Sequence, residues 1–206
     1  MDTVVIFDMD GTLIDSGTDI TISINHVRTS KGLAPLEVAQ VVAAINSQDV
    51  SLARYFYGTE RYESGDRERF EMHYHEQCIR STTLYDGVRE LINTLKERSV
   101  ALAVATNAPT RFARRMLGHL EIATYFDHII GPDISGKPKP EPDMLHYILR
   151  HYPQGIRTWM VGDNLKDIQA AKNAGIPGVF VTWGFADTVP DAPYHITTPA
   201  QLLNLL

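Results

Sequence analysis

Short apolar runs that stop at polar or glycine-containing turns recur along the chain, at Thr3 to Phe7, Val100 to Ala105, His128 to Ile130, Thr158 to Val161 and Gly178 to Thr182. Their lengths and β-branched content suit buried strands. Between the last four, apolar residues recur at helical spacing. Phe112, Met116, Leu117 and Leu120 form one stripe; Met144, Leu145, Ile148 and Leu149 a second; Ile168, Ala171 and Ala174 a third. Strand-helix alternation of this kind predicts an α/β fold, a Rossmann-like parallel sheet core covered by helices on both faces. Gly175, just past the third stripe, stands where a left-handed helix cap is expected.

The first strand breaks the rhythm. About 90 residues separate it from the next, too many for a simple loop, and Ser16 to Thr83 reads as helical throughout. Ile20, Ile24 and Val27 recur at helical spacing; Val38, Val41, Val42 and Ile45 follow, then Phe70, Tyr74 and Cys78. Gly32, Pro35, Gly58 and Gly65 punctuate these segments. The pattern predicts an inserted α-helical cap subdomain over residues 16–83 and a core formed by 1–15 and 84–206. No internal repeat is visible.

Composition narrows the partners. The chain has 206 residues, 44% hydrophobic and 21% charged, enough to bury a sizeable core. The longest clear apolar run, Val100 to Ala105, falls far below the ~18 residues of a membrane span. The N-terminus meets Asp8 and Asp10 almost at once and lacks the basic start and apolar stretch of a secretory signal, so a cytoplasmic protein is expected. The single cysteine, Cys78, excludes an intrachain disulfide and suits a reducing compartment. The net charge of -6 argues against a polyanion partner held by a bulk basic field. A phosphorylated ligand must be met by local donors and a metal.

Candidate chemistry collects at the strand ends. Strand one runs into Asp8-Met9-Asp10-Gly11-Thr12. Two carboxylates so placed repel each other unless a cation or proton intervenes, and Gly11 permits a sharp turn. The second strand of the core ends in Thr106-Asn107, a hydroxyl and a carboxamide suited to an anion. The third is followed by Gly136-Lys137-Pro138-Lys139-Pro140-Glu141-Pro142, where alternating prolines hold the loop extended. The fourth ends in Gly162-Asp163-Asn164-Leu165-Lys166-Asp167. In a parallel sheet these groups share one edge, the edge where ligands bind.

In this set and order, the motifs Asp8-Met9-Asp10-Gly11-Thr12, Thr106-Asn107, Lys137-Pro138-Lys139-Pro140 and Gly162-Asp163 through Asp167 resemble those of the haloacid dehalogenase-like hydrolase superfamily. Tyr85-Asp86-Gly87-Val88, the proline-alternating loop, Ala174-Gly175 and Val181-Thr182-Trp183-Gly184-Phe185 are most similar to its phosphoglycolate phosphatase branch. The resemblance implies a Mg²⁺-dependent phosphatase. Asp8 would be the nucleophile that forms an aspartyl-phosphate, and Asp10 the general acid and then base. Mg²⁺ would be held by Asp8, the Asp10 carbonyl and Asp163, with Asp167 orienting Lys137 or a water from just outside. Thr106 and the Asn107 amide would bind phosphoryl oxygens and Lys137 would neutralise them. Lys139 competes with Lys137 on local chemistry; only the family's spacing favours Lys137. The dehalogenase branch lacks an acid where Asp10 stands, since halide leaves without protonation.

Other residues receive plainer readings. His73 and His75, two apart on a helix, point to different sides and read as surface or packing residues. Cys78 and Trp159 read as core, and Trp183 and Phe185 as packing under a loop. Lys31 and Arg54, with the Asn46-Ser47-Gln48 turn, read as solvated positions that a substrate's second anionic group would have to recruit. The expected function is hydrolysis of a small phosphorylated metabolite, phosphoglycolate first, by a monomer or homodimer without nucleic-acid or membrane partners. A sugar phosphomutase, a pyrophosphatase and an inactive binding protein are the alternatives.

Overall fold

The structure is a computed structural model that describes residues 2–47, 50–186 and 191–206. Gln48, grouped above with Asn46 and Ser47, lies outside them. The chain divides into two compact units, one of residues 1–15 with 83–206 and one of residues 16–82.

In chain order the first unit begins with β1 (Thr3–Phe7) and β2 (Ile14–Asp15). The second unit follows as α1 (Gly17–Ser30), α2 (Val38–Asn46), α3 (Leu52–Tyr57) and α4 (Ser64–Gln77). The chain returns through β3 (Thr83–Leu84), α5 (Val88–Glu97), β4 (Ala101–Ala105), α6 (Thr110–His119), β5 (His128–Ile130), α7 (Pro132–Ser135) and α8 (Asp143–Leu149). It ends with β6 (Arg157–Gly162), α9 (Leu165–Asn173), β7 (Gly178–Val181) and β8 (Tyr194–Ile196).

Six strands form one sheet in the order β5-β4-β1-β6-β7-β8, and every pairing is parallel. The expected α/β sheet is therefore present, with β1 at its centre. Burial explains the sequence pattern. Val4 and Ile6 share one face of β1 with Ala101, Ala103 and Ala105 of β4, and Met144, Leu145 and Ile148 of α8 pack there with Ala170 and Ala171 of α9. The small alanines let helices approach the sheet closely. On the other face Phe7 meets Phe126 edge-on, 6.5 Å between ring centres.

The strand expected over Gly178 to Thr182 ends at Val181, and those at Val100 and Thr158 begin one residue later and earlier respectively. Two features were not foreseen. β8 is an edge strand whose Tyr194 and His195 face solvent and of which only Ile196 is buried, so it carries no apolar run. Thr83, read as the end of the helical stretch, instead begins β3, which pairs antiparallel with β2 (Ile14 with Leu84, Asp15 with Thr83) where the chain leaves and rejoins the core unit. Gly175 adopts φ +70°, the left-handed cap expected of it. Among the described residues no helix is long and apolar enough to cross a membrane.

The helical unit has its own core, in which Ile24 and Val27 of α1 meet Val41 and Ala44 of α2 and Phe56 and Tyr57 of α3. Cys78 is buried, as expected. His73 stacks on His26 at 4.2 Å and its Nδ1 lies 2.9 Å from Ser23 Oγ, while His75 is exposed, a packing and a surface position respectively. Lys31 is paired with Asp66 at 2.7 Å and Glu63 at 3.1 Å, and Arg54 lies 3.6 Å from Glu60.

The two ends of this unit are tied by one buried carboxylate. Asp19 accepts hydrogen bonds from Gln77 Nε2 (2.8 Å), the Ser81 and Thr82 amides (2.9 Å each) and Thr82 Oγ1 (3.0 Å). Burial opposes its charge, but these donors prevail and hold its pKa below the ordinary value. Its contribution to stability is therefore present above the pKa of an unfolded aspartate and lost as pH falls through the lower folded value. Asp19→Ala should cost about 2–4 kcal/mol, because several buried donors lose their acceptor. Urea unfolding followed by helical circular dichroism checks this, and the difference from the parent should shrink below about pH 4.

Candidate active site

Three of the predicted chemical groups sit just beyond the carboxyl ends of strands. Asp8 follows β1, Thr106 follows β4 and Asp163 follows β6, three adjacent strands of the sheet. The Asp8 amide donates to Val161 O (2.8 Å) and the Thr106 amide to Ile130 O (3.0 Å), so the sheet ladder continues into the site and fixes both residues. Asp8, Thr106, Asp163 and Asp167 are all buried.

The carboxylates of Asp8, Asp163 and Asp167 converge, with one oxygen from each lying within 4.8 Å of the others. Lys139 enters among them. Its Nζ stands 2.5 Å from Asp8 Oδ1 and 2.6 Å from Asp167 Oδ1, and donates to Ala105 O at 2.7 Å. The lysine expected here from family spacing, Lys137, is elsewhere. Its side chain is 63% exposed and lies 3.9 Å from Glu141, whereas that of Lys139 is 2% exposed. The physical reason is the loop. The expected extended course is not kept: the loop turns tightly, the Glu141 amide donating to Pro138 O (3.0 Å), with Lys139 inside the turn facing the carboxylates and Lys137 before it beside Glu141.

Asp167 has two duties. It lies in the first turn of α9, where its Oδ2 accepts from the Asn164 amide (3.0 Å) in a capping box completed by Asn164 Oδ1 and the Lys166 amide (3.0 Å). Its other oxygen faces Lys139. Its neighbour in the sequence reading, Lys137, is therefore replaced by Lys139 as the group it orients.

Asp163 is held by donors from two of the motif segments, to which the sequence reading gives no such role. Oδ1 accepts from Thr12 Oγ1 (3.2 Å) and Oδ2 from the Phe185 amide (2.7 Å). Trp183 Nε1 donates to Thr12 O at 3.1 Å. Residues 183–185 were read as packing, but they clamp the site, and the visible signal was a Trp-Gly-Phe turn at the carboxyl end of β7. Glycine is required at both contact points. Gly11 has φ +85°, and a β-carbon there would strike Asp163; one at Gly184 would strike Gly11 O and Asp163.

Asp10 is half-buried on the turn after β1, its backbone bridged to Ile14. Thr106 accepts from the Ala108 amide through Oγ1 (3.1 Å). Asn107 directs its carboxamide onto the backbone of Lys139.

Electrostatics follow from the count. Three buried carboxylates face one buried ammonium, leaving an excess of two negative charges. For Lys139, burial works against the charge, but Asp167 and Asp8 overcome it and raise the pKa. Burial raises Asp8 despite Lys139, helped by Asp167 and Asp163. Burial, then Asp167, pushes Asp163 up to about 7. Tyr85 is raised by burial and by Asp15, Asp163 and Asp10, so its phenol stays protonated beside this acidic edge. An all-oxygen donor set with two uncompensated charges fits a hard divalent cation such as Mg²⁺, with Asp8 and Asp163 the donors not committed to a helix cap.

With this geometry the comparisons are specific. The chain belongs to the haloacid dehalogenase-like hydrolase family, whose profile matches residues 5–181. Among curated proteins it is similar to the phosphoglycolate phosphatase of Rhodobacter capsulatus, 33% identical over 199 residues, covering 93% of this chain and 89% of that one. The phosphoglycolate phosphatase of Pseudomonas fluorescens is 32% identical over 191 residues, covering 88% and 70%. A crystal structure of a predicted phosphoglycolate phosphatase from Haemophilus somnus superposes with TM-score 0.85 at 27% identity, covering 98% and 96%. The chain is thus a hydrolase of phosphoglycolate phosphatase-like type.

Two outcomes are expected for the cation-free protein. Because Asp163 has a raised pKa, the folded state binds its proton more tightly than the unfolded chain, so the contribution of Asp163 to stability is fully present below the pKa of an unfolded aspartate and is lost as pH rises through about 7. Added Mg²⁺ should reverse this: its thermal stabilisation should be large at about pH 8 and small at about pH 5.5, where protons compete for the same oxygens. Gly184→Ala should displace Asp163 and weaken Mg²⁺ binding about tenfold or more, read by calorimetric titration.

Proposed function

We propose that the chain is a Mg²⁺-dependent phosphatase that hydrolyses a small phosphorylated metabolite through an aspartyl-phosphate, with phosphoglycolate the first substrate to test. The observation that carries this is Asp8 at the end of the central strand, with the Lys139 ammonium 2.5 Å from its Oδ1 and oxygens of Asp163 and Asp167 within 4.8 Å. That arrangement suits a carboxylate that must approach a dianionic ester. Asp8, the Asp10 carbonyl and Asp163 would hold the cation, which when bound neutralises charge on the carboxylates and phosphoryl group.

In the first step an Asp8 oxygen attacks phosphorus as the bond to the ester oxygen breaks. Asp10 gives its proton to the departing alcohol. In the second, Asp10 takes a proton from water, the water oxygen attacks phosphorus, and the bond to Asp8 breaks to release inorganic phosphate. Lys139, in place of Lys137, stabilises the charge of the transferring group, and Thr106 with the Asn107 amide binds its oxygens. Asp167 fixes Lys139. Residues 16–82 serve as the cap that supplies substrate selectivity.

Phosphate release from a panel of esters tests the reading. Asp8→Asn should lower kcat by on the order of 10⁴-fold or more. Asp10→Asn should cost about 10²–10⁴-fold on alkyl phosphates and much less on p-nitrophenyl phosphate in the first step, since that leaving group needs no proton. Lys139→Met should lower kcat/KM about 10²–10³-fold while Lys137→Met stays within about twofold. Turnover retained by Asp8→Asn in a clean preparation would overturn the mechanism. A requirement for a bisphosphate activator, or preference for pyrophosphate over every ester, would redirect it to a mutase or a pyrophosphatase.

A further inference from the structure

The loop that delivers Lys139 cannot be held in the ordinary way. Pro138 and Pro140 have no amide hydrogen, so across residues 138–140 the Lys139 N–H is the one main-chain donor. A strand-like ladder to the neighbouring β4 is therefore closed to it. Asn107, the second residue beyond β4, supplies the missing pairing from its side chain. Lys139 N donates to Asn107 Oδ1 at 2.8 Å, and Asn107 Nδ2 donates to Lys139 O at 3.0 Å. The far end of Lys139 returns to the same segment, where Nζ donates to Ala105 O at 2.7 Å. Residues 105–107 thus grip the lysine at its backbone and at its ammonium.

We propose that Asn107 is a positioning residue for Lys139: its carboxamide stands in for strand pairing and sets where the ammonium lies between Asp8 and Asp167. A carboxamide is suited to this because it presents a donor and an acceptor side by side, matching the two groups of one residue's backbone. An aspartate at 107 keeps the acceptor but turns an oxygen toward the Lys139 carbonyl. Asn107 is itself exposed, so water can occupy its place, and its loss removes placement rather than fold. What Lys139 contributes to turnover rests on the phosphatase reading; where Lys139 stands does not.

The test uses the full chain and an amine-reactive methylation pulse, read by peptide mass spectrometry, with exposed Lys137 as the internal reference. In the parent protein Lys139 should label far more slowly than Lys137. In Asn107→Ala and Asn107→Asp its labelling relative to Lys137 should rise about tenfold or more, as local opening is no longer opposed, while the signals of half-buried Lys31, Lys96 and Lys166 stay unchanged. Asn107→Gln, which keeps both polar atoms, should restore part of the protection. With p-nitrophenyl phosphate, Asn107→Ala should lower kcat about 10–100-fold and shift KM by less than about threefold, because Thr106 and the main-chain amide at 107 remain.

Lys139 protection in Asn107→Ala equal to the parent's would overturn the proposal. So would faster labelling of every lysine together, which marks a structural role, or a fall in kcat that Asn107→Gln does not partly rescue. If Asn107→Ala fails to fold, Asn107→Asp and Asn107→Gln make the same comparison. A parent protein without phosphatase activity but with protected Lys139, exposed again in the variants, would remove the phosphatase reading and leave the clamp in place.

Discussion

One ammonium held among three buried carboxylates is the constraint around which the core unit is arranged. Charges removed from water cost several kcal/mol each unless partners replace the lost hydration. Here the replacement is only partial by charge but extensive by hydrogen bonding. Asp163 is met by the Thr12 hydroxyl and the Phe185 amide, Asp167 by the Asn164 amide, and Lys139 by the Ala105 carbonyl as well as two carboxylates. Such a cluster is stable enough to form yet retains a negative excess. The cluster is therefore suited to a cation. Features with no chemistry of their own follow from it: Gly11 and Gly184 are bare because Asp163 occupies the space a β-carbon would need.

The sheet topology makes this concentration of charge possible. β1, β4 and β6 are neighbours, although Phe7 and Ala101 are far apart in the chain and Gly162 further still. Their carboxyl ends deliver Asp8, Thr106 and Asp163 to one edge without any long side chain having to span the distance. The net charge of -6 is then of little consequence for an anionic ligand. What matters is the local order of donors within a few ångströms, where the surroundings screen weakly.

How far this could be read from the sequence differs by element. The five core runs Thr3 to Phe7 through Gly178 to Thr182 appear as strands because each is buried on both sides and so nearly continuous in apolar residues. β8 stayed hidden because an edge strand with two exposed positions has no such run. The converging aspartates were legible because their motifs end strands, and strand ends meet. The choice between Lys137 and Lys139 was not. Both are flanked by proline, and the contacts that place Lys139 come in part from Ala105 and Asn107, more than thirty residues away in the chain. Trp183 and Phe185 were read as packing because their useful groups are an indole N–H and a backbone amide. A main-chain donor leaves no mark on residue type.

The separation of the chain into two units bears on how such an enzyme acquires a substrate. The reactive cluster lies wholly within residues 1–15 and 83–206, while the helical unit has its own apolar core and its own buried carboxylate, Asp19, closing its two ends. Lys31 is already committed to Asp66 and Glu63, so the charge it offers is a structural one, and a substrate would have to compete with that ion pair to recruit it. Substitutions in the helical unit can therefore alter its surface without disturbing the balance of charges around Asp8. The core unit is less tolerant: a change at Gly11 or Gly184 reaches Asp163 through a single contact, and one at Asn107 or Asp167 reaches Asp8 through Lys139. Tolerance is lowest at Gly11 and Gly184, where Asp163 leaves no room for a β-carbon.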